Sequence, residues 1–373
     1  MEHVSLGWLV FEMTDSAFMV GVSAAARMAP MFFLGIFSGA VADRVDRRVF
    51  LRFVNLTGAF AATAVAIVLI TDAAKVWHLM LFAVVSGSIG AFNITVGQAY
   101  TYDLVGPKRA LNGLSLNGLG RQVGGVVGSV IAGLVIAGVS AGVQYLAVGG
   151  SYLAGLAVLL FIKEVGHASV GRRESIKSNL IGYIGILRKN GTLRTLMVLT
   201  AATEVFGFAH MSLLPVFAKE ELAVGAVGLG FMTAVRQAGG TLGLLLMAGM
   251  GDYRRKGMLT FVIVGGFGVG QMLFAVASDL LVFLVVLAFV NACAFAVDAL
   301  YKTLMQSNVA DEERGRAMGS WAFSIGTAPV GHLGVGTMAS YFGAPVALLI
   351  NGGILTTIAI GTAVGLPKIR RLE

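Results

Sequence analysis

The chain has 373 residues, of which 57% are hydrophobic and only 12% are charged. Soluble domains carry roughly 25% charged residues, so this chain has too little charge to cover a water-facing surface, and it is too apolar for a disordered protein. The formal net charge of +8 does not predict a nucleic-acid partner, because the basic residues lie in short clusters between long apolar runs. The composition excludes a soluble globular enzyme and predicts an integral membrane protein.

A helix that crosses a membrane needs about 20 mostly apolar residues. The first apolar run, residues 4–13, has about half that length, and we expect it to be the end of a first helix whose beginning is missing. Eleven full-length runs follow, at residues 18–42, 50–71, 77–100, 114–138, 142–162, 193–218, 226–249, 258–277, 279–304, 316–338 and 344–366. We therefore predict an all-α membrane protein with twelve spans, of which the first is incomplete.

The loops between these spans carry charge unevenly. When the connections are assigned alternately to two sides, almost all lysines and arginines fall on one side, and the other side has Lys75 and Lys219. Lysine and arginine concentrate in cytoplasmic loops. This bias predicts that the C-terminus lies in the cytoplasm.

An internal repeat relates the two parts of the chain. At an offset of 209 residues, Gly21, Ala25, Arg27 and Asp43 match Gly230, Ala234, Arg236 and Asp252. Two related halves are typical of transporters. We predict an N-terminal half at residues 1–162 and a C-terminal half at residues 193–373, with about 16 residues missing from the front of the first half.

A polar linker, residues 163–192, joins the two halves. Ile176, Leu180, Ile184 and Leu187 recur in it at helical spacing, with basic residues off that stripe. This pattern predicts an amphipathic helix at the cytoplasmic membrane surface. A loosely ordered basic linker is the alternative.

A charged loop follows the second span. Its glycine, aspartate and arginines are Gly39, Asp43, Arg44, Arg47 and Arg48. Gly39 would let a neighbouring helix approach closely, while Asp43 and Arg47 could pair in one conformation and separate in another. The alternative is that the arginines only keep the loop in the cytoplasm.

The segment at residues 39–48 resembles the signature loop of the major facilitator superfamily, which has Gly, three residues, Asp, a basic residue, one residue, Gly and two basic residues. Asp46 replaces the second glycine here, and aspartate tolerates a left-handed backbone better than most residues. A degenerate second copy after the eighth span contains Asp252, Arg254 and Arg255. The resemblance implies two six-helix halves that expose a central site alternately to either side of the membrane.

Three further motifs resemble the siderophore-export and multidrug-efflux branch of this superfamily. They lie at residues 7–14, 109–112 and 214–217. The resemblance implies a bacterial inner-membrane antiporter that exports a small amphipathic compound, a drug or a siderophore, in exchange for protons. We expect a monomer with no cofactor, whose partners are the substrate, protons and the lipid bilayer.

Two arginines lie inside spans, where ionisable groups are costly and are therefore candidate functional residues. Arg27 is about ten residues, or roughly 15 Å, into its span, and Arg236 is its equivalent in the repeat. They could attract an anionic or carbonyl-rich substrate into a central cavity. Equally, they could pair with acidic groups for structure.

Two carboxylates are the candidates for proton coupling. Glu204 lies near the middle of the seventh span, where apolar surroundings would let it hold a proton at physiological pH; otherwise it is a fixed partner for one of the arginines. Asp298 lies four residues before Lys302 in the tenth span, a spacing that favours a local ion pair. Proton binding by Asp298 is the alternative.

His210, Asn291 and Arg121 complete the candidate cavity residues. His210 is six positions after Glu204, about 240° around an α-helix, so the two do not share a face, and a packed or pore-lining histidine is the alternative. Asn291 lies inside the tenth span. Arg121 precedes a glycine-rich face that resembles the antiporter motif of exporting members, although Gly125 replaces the motif's proline, and helix packing is the alternative reading.

The sequence has no nucleotide-binding loop and no zinc-hydrolase motif. An ATP-driven pump is therefore not predicted. Cys293 is the only cysteine, so a cluster of cysteine ligands for a metal is not predicted either. Two rival functions stay open. One is a non-transporting membrane protein, either an accessory partner or a remnant disabled by its missing first helix; the other is a facilitator that imports an anionic nutrient.

Overall fold

Helices are the regular elements of the computed structural model, which describes residues 1–42, 45–164, 187–251, 253–310 and 313–372, with side chains described except at 35–42, 111 and 314–317. No strand occurs in these ranges, and the predicted all-α fold is confirmed. Asp43, Arg44 and Asp252 lie outside the described residues. The predicted linker helix does so as well, apart from its last apolar position, Leu187.

The first half contains six helices in the order of the predicted spans. They are α1 Glu2–Thr14, α2 Ala17–Ala42, α3 Arg47–Ile70, α4 Val76–Val105, α5 Ala110–Gly138 and α6 Ala141–Phe161. Asp15, with φ 45°, ends α1 in the left-handed region. The side chains of Asp46 and Ser140 accept backbone N–H groups at the starts of α3 and α6, which satisfies donors that have no partner within the helix.

The second half contains the remaining helices. They are α7 Gly191–Ala202, α8 Gly225–Gly249, α9 Lys256–Val276, α10 Leu280–Ser307, α11 Arg314–Ile325, α12 Ala328–Phe342, α13 Ala344–Gly365 and α14 Pro367–Arg370. Beyond α7 the span continues through a π-helical turn, Thr203–Gly207, and a 3-10 segment, Phe208–Leu213. A three-residue α-helical stretch, Leu214–Val216, follows, and the span ends in a second π-helical turn, Phe217–Glu221.

The eleventh predicted span, residues 316–338, is two helices rather than one. α11 ends at Ile325 and α12 begins at Ala328. Pro329 lies in the first turn of α12, where its missing N–H cannot continue the hydrogen bonds of α11. The prediction of a single helix was therefore wrong here.

Nine helical segments within the described chain are long and apolar enough to cross a membrane. α8 is not among them, because Arg236 and Gln237 lower its hydropathy. α11 and α12, with 12 and 15 residues, are each too short to qualify alone. α8, α11 and α12 nevertheless lie at the positions of predicted spans. They differ from the nine segments only because α8 is more polar and because α11 and α12 are separate helices.

The chain divides into two compact units. Unit 1 consists of Met1–Gly171 and Ala223–Ala234, and unit 2 of Arg172–Leu222 and Val235–Glu373. Within unit 1, α3 packs against α6 and α2 against α4; within unit 2, α9 packs against α13 and α10. The domain boundaries at residues 162 and 193 stay predictions.

Candidate substrate and proton sites

Arg27 of α2 lies among polar side chains of two other helices in unit 1. Its Nε is 3.8 Å from Oε1 of Glu2 on α1, and its Nη1 is 2.9 Å from Nε2 of His3. The hydroxyl of Tyr152 on α6 donates to Oε2 of Glu2 at 3.3 Å. The carboxylate of Glu2 therefore joins α1, α2 and α6. Glu2 and His3 were missed as site residues, because they precede the first apolar run.

Arg236 of α8 has a different neighbour in unit 2. Its Nη1 donates to Sδ of Met211 at 2.9 Å, and Met211 lies on the 3-10 segment Phe208–Leu213. Glu2 and Met211 are each 25 residues before their arginine, so they are matching positions of the repeat. A thioether is a weak hydrogen-bond acceptor and carries no charge. At this position the guanidinium contacts a neutral side chain, where the first half has a carboxylate.

Glu204 lies in the π-helical turn Thr203–Gly207 and is 6% exposed. No hydrogen bond or ion pair to its carboxyl is found among the described residues, although the charges of Asp298 and Lys302 lie within electrostatic range. Next to it, the Thr203 hydroxyl is 3.1 Å from the hydroxyl of Tyr301. π-helical turns are rare overall, and those that occur are often found at functional sites. A buried carboxyl of this kind can bind a proton because burial penalises its charged form.

His210 belongs to a buried polar cluster around the carbonyl oxygen of Gly207. Nδ1 of His210 donates to this oxygen at 2.8 Å, and Nε2 of Gln271 donates to the same atom at 2.5 Å. Nδ2 of Asn291 lies 3.4 Å from Nε2 of His210. Since Nδ1 carries its proton, Nε2 is free to accept. The structure thus brings together two predicted residues, His210 and Asn291, and adds Gln271.

For the side-chain oxygens of two residues in this cluster, no donor is found in the described ranges. Oδ1 of Asn291 and Oε1 of Gln271 are buried and have no hydrogen-bond partner in the described part of the chain. The rings of Phe267 and Phe274 meet the imidazole of His210 edge-on, with centroids 5.9 and 6.2 Å away. Polar acceptors therefore lie beside an aromatic wall.

Asp298 forms the local pair that its spacing predicts. Its Oδ2 accepts from Nζ of Lys302 at 2.7 Å, and its Oδ1 accepts from the indole Nε1 of Trp321 on α11 at 2.7 Å. Nζ of Lys302 also lies 4.0 Å above the Trp321 ring. Both carboxylate oxygens are therefore engaged. The contact between α10 and α11 through Trp321 has no signal in the sequence, since the two residues are 23 positions apart.

Arg121 is exposed on α5, and no partner for it is found among the described residues. The glycine-rich face after it is used only in part for packing. A Cβ atom at Gly133 would lie 2.5 Å from the carbonyl oxygen of Ala226, so α5 approaches the start of α8 closely there, whereas Gly124 faces open space. Helix packing accounts for the far end of this face and not for its beginning.

The described arginines that follow the first charged loop, Arg47, Arg48 and Arg52, make contacts within the protein. Nη1 of Arg47 donates to both carboxylate oxygens of Asp103, at 2.8 and 2.7 Å, and Arg47 is buried. Nη1 of Arg48 donates to the carbonyl oxygen of Lys163 at 2.9 Å, and Nη2 of Arg52 donates to that of Leu159 at 2.7 Å. Arg48 and Arg52 thus satisfy carbonyl groups at the end of α6.

Asp46 has φ −62°, so the left-handed backbone expected at this position is absent. Its carboxylate instead accepts the backbone N–H groups of Arg48 and Val49 as the cap of α3. Gly39 lies inside α2. Asp103, which was missed, takes the role of acidic partner to Arg47 among the described residues.

The arginines of the second charged loop, unlike those after the first, line an open recess. Arg254 and Arg255 line a recess of about 540 Å³ together with Met258, Arg370 and Arg371. The arginines come from the start of α9 and from α14 with the residue after it. This recess was not predicted.

The helical repeat, the apolar spans and the buried polar groups inside them define a multi-span membrane protein of the transporter class. The chain belongs to the major facilitator superfamily: the family model MFS_3, described as transmembrane secretion effector, matches residues 1–373. It is a membrane transporter family and not an enzyme family.

Several characterised proteins are similar to the chain over nearly all of its length. The staphyloferrin A transporter of Staphylococcus aureus is 23% identical, with 96% of this chain and 89% of that protein covered. The multidrug efflux pump Tap of Mycolicibacterium fortuitum is 26% identical, with 99% and 92% covered. The enterobactin exporter EntS of Shigella flexneri is 24% identical, with 93% and 85% covered.

Among solved structures, a point mutant of the nucleoside transporter NupG has the same fold. Its TM-score is 0.81 at 13% sequence identity, and 97% of this chain and 94% of that chain are covered. The predicted major facilitator fold is confirmed.

Proposed function

We propose that the chain exports a small amphipathic compound, a drug or a siderophore, from a bacterial cell in exchange for protons. It works as a monomer in the inner membrane with its C-terminus in the cytoplasm, and its two halves alternate the access to a central site. The similarity to a multidrug efflux pump and to a siderophore exporter supports this substrate class.

The observation that carries the proton coupling is the buried carboxyl of Glu204, for which the described residues provide no hydrogen bond or ion pair. It is buried on a π-helical turn, and the one other carboxylate candidate, Asp298, has both oxygens engaged by Lys302 and Trp321. A carboxyl that exchanges a proton during transport must be able to lose its charge without breaking a structural pair. Glu204 meets this requirement and Asp298 does not.

The polar cluster of unit 2 is the candidate substrate contact. Oδ1 of Asn291 and Oε1 of Gln271 offer acceptors, and Phe267 and Phe274 offer apolar surface beside them. An amphipathic molecule has complementary parts for both. Because Gly207 belongs to the same π-helical turn as Glu204, a substrate that displaces the His210 hydrogen bond would act on the turn that holds the proton site.

Import of an anionic nutrient is less well supported, because it would require the two span arginines to act together. Arg27 is paired with the carboxylate of Glu2, so its charge is largely neutralised within its own unit.

The test is substrate-driven proton release from acidified inverted vesicles that contain the chain. Enterobactin, staphyloferrin A, macrolides and lipophilic cations form the panel. We expect at least one compound to collapse the pH gradient, and Glu204→Gln to abolish that collapse while substrate-driven counterflow continues.

Glu220→Gln is the matched control, because Glu220 is an exposed glutamate at the end of the same span. It should behave as the unmodified chain. Retained coupling in Glu204→Gln would reject Glu204 as the proton carrier. No response to any compound, with the protein present in the membrane, would favour a non-transporting protein.

A further inference from the structure

The recess at the start of α9 concentrates positive charge at one end of unit 2. Arg254, Arg255, Arg370 and Arg371 are all exposed and line it together with Met258. The described residues that line it contribute four guanidinium groups and no carboxylate. Like charges gathered in this way repel one another unless an anion lies between them.

The recess is held in shape by the backbone. The N–H of Gly257 donates to the carbonyl oxygen of Leu372 at 3.0 Å, and Ile369 of α14 is 4% exposed. A Cβ atom at Gly257 would clash with the carbonyl oxygen of Ile369, so only glycine allows this approach. The two arginine pairs are therefore held together by packed backbone between the start of α9 and residues 369–372.

The arginines at the matching end of unit 1 have partners within the protein. There, Arg47 pairs with Asp103, and Arg48 and Arg52 donate to carbonyl oxygens at the end of α6. In unit 2 only a long contact of this kind is found within the described residues, from Nη1 of Arg370 to the carbonyl oxygen of Ala363 at 3.4 Å. Among the described residues, no carboxylate pairs with these guanidinium groups, which can therefore bind an external anion.

The position of the recess indicates the kind of anion. α9 has 21 residues and spans about 30 Å, the thickness of the hydrocarbon core, so we expect its first turn at headgroup level. Directly below the recess, α9 carries exposed apolar side chains at helical spacing: Met258, Val262, Val269, Leu273 and Val276. An acyl chain can lie along this stripe while its headgroup enters the recess.

We propose that this arginine recess binds the phosphate of an anionic phospholipid. Guanidinium groups match phosphate oxygens in two-pronged hydrogen bonds, and basic recesses at headgroup level attract anionic lipids. The lipid would fasten α14 to the start of α9, so binding stabilises the C-terminal end of unit 2. This site is independent of the proposed transport site, since it shares no residue with it.

The experiment compares lipid binding to the purified full chain by native mass spectrometry, with phosphatidylglycerol and phosphatidylcholine as probes. The unmodified chain should retain phosphatidylglycerol preferentially. Substitution of all four recess arginines by glutamine should lower that preference at least about tenfold.

The matched control removes the same charge elsewhere: Lys108→Gln, Arg109→Gln, Arg188→Gln and Lys189→Gln, all exposed. It should keep the preference. If the fourfold recess variant does not fold, Arg254→Gln/Arg255→Gln and Arg370→Gln/Arg371→Gln are measured separately, and each should weaken retention. Unchanged phosphatidylglycerol binding in the recess variants would overturn the proposal. So would displacement of the lipid by millimolar glycerol 3-phosphate or inorganic phosphate, which would assign the recess to a soluble anion.

Discussion

Two arginines at matching positions of the repeat have neighbours of different chemistry. Arg27 faces the carboxylate of Glu2, and Arg236 faces the thioether of Met211, each 25 residues earlier in the chain. The backbone of the two halves therefore repeats a contact between a span arginine and the helix that precedes it. The side chain at one position decides what that contact does.

The first site is an ion pair, which joins helices and has little charge left for a ligand. The second contact is formed to a weak, neutral acceptor, and it lies beside His210, whose ring is within electrostatic range of Arg236. The comparison teaches that a repeated arginine need not have a repeated role. We propose a structural role for Arg27, and Arg236 stays a candidate for contact with the substrate.

The largest expected effect follows from Arg236→Gln. A hydrogen bond to a charged group contributes about 1.5–3 kcal/mol, so the half-saturating substrate concentration should rise about tenfold to about a hundredfold. Vesicle transport measured over a range of substrate concentrations checks this. An equal rise in Arg27→Gln would break the comparison, because both arginines would then act on the substrate.

The next effect concerns stability. Arg27→Met leaves the Glu2 carboxylate without its cation, and we expect the free energy of unfolding to fall by about 2 kcal/mol, less than for a fully buried pair because both side chains are partly exposed. Thermal unfolding in detergent measures the change. Glu2→Met combined with Arg27→Met should recover most of the loss, since neither charge is then left alone.

Arg236→Met is the parallel control for that experiment, because it removes an arginine that faces sulfur. It leaves the Glu2–Arg27 pair intact, so adding Glu2→Met to it should not recover stability. Additive losses in the combined variant of Glu2 and Arg27 would contradict an ion pair at the first site.

The smallest effect is expected from Met211→Glu, which would place a carboxylate where the first half has Glu2. A new pair with Arg236 should raise the free energy of unfolding by about 0.5–1 kcal/mol and weaken substrate attraction. Met211→Gln is the control of similar size without charge. A glutamate variant no more stable than the glutamine variant would show that the two sites differ in geometry as well as in chemistry.

Much of the fold could be predicted because apolar length and the distribution of basic residues are properties of the sequence. Every predicted span has a helix at its position, and the break at Pro329 shows where length alone misled, since a proline within an apolar run was not weighted. The repeat offset also placed Arg27 and Arg236 at matching positions. These signals are local or periodic, and so they are visible without a structure.

The partners of the candidate residues could not be predicted in the same way. Gln271 reaches the cluster around His210 from another helix, and Trp321 reaches Asp298 in the same way. Asp103 pairs with Arg47, which is 56 residues away in the sequence. Nothing in spacing along one helix reveals such contacts. The Asp298–Lys302 pair could be predicted because the two residues are four positions apart on α10.

The π-helical turn Thr203–Gly207 has a consequence for insertions and deletions. A π turn accommodates an additional residue in a helix, and a 3-10 segment winds by about 120° per residue instead of about 100°. A helical wheel drawn through this span therefore misplaces His210 relative to Glu204. Removing one residue between Thr203 and Gly207 would restore regular winding and rotate His210 away from Gln271 and Asn291. We therefore expect an insertion or deletion in this segment to be tolerated less well than a substitution at most of its positions.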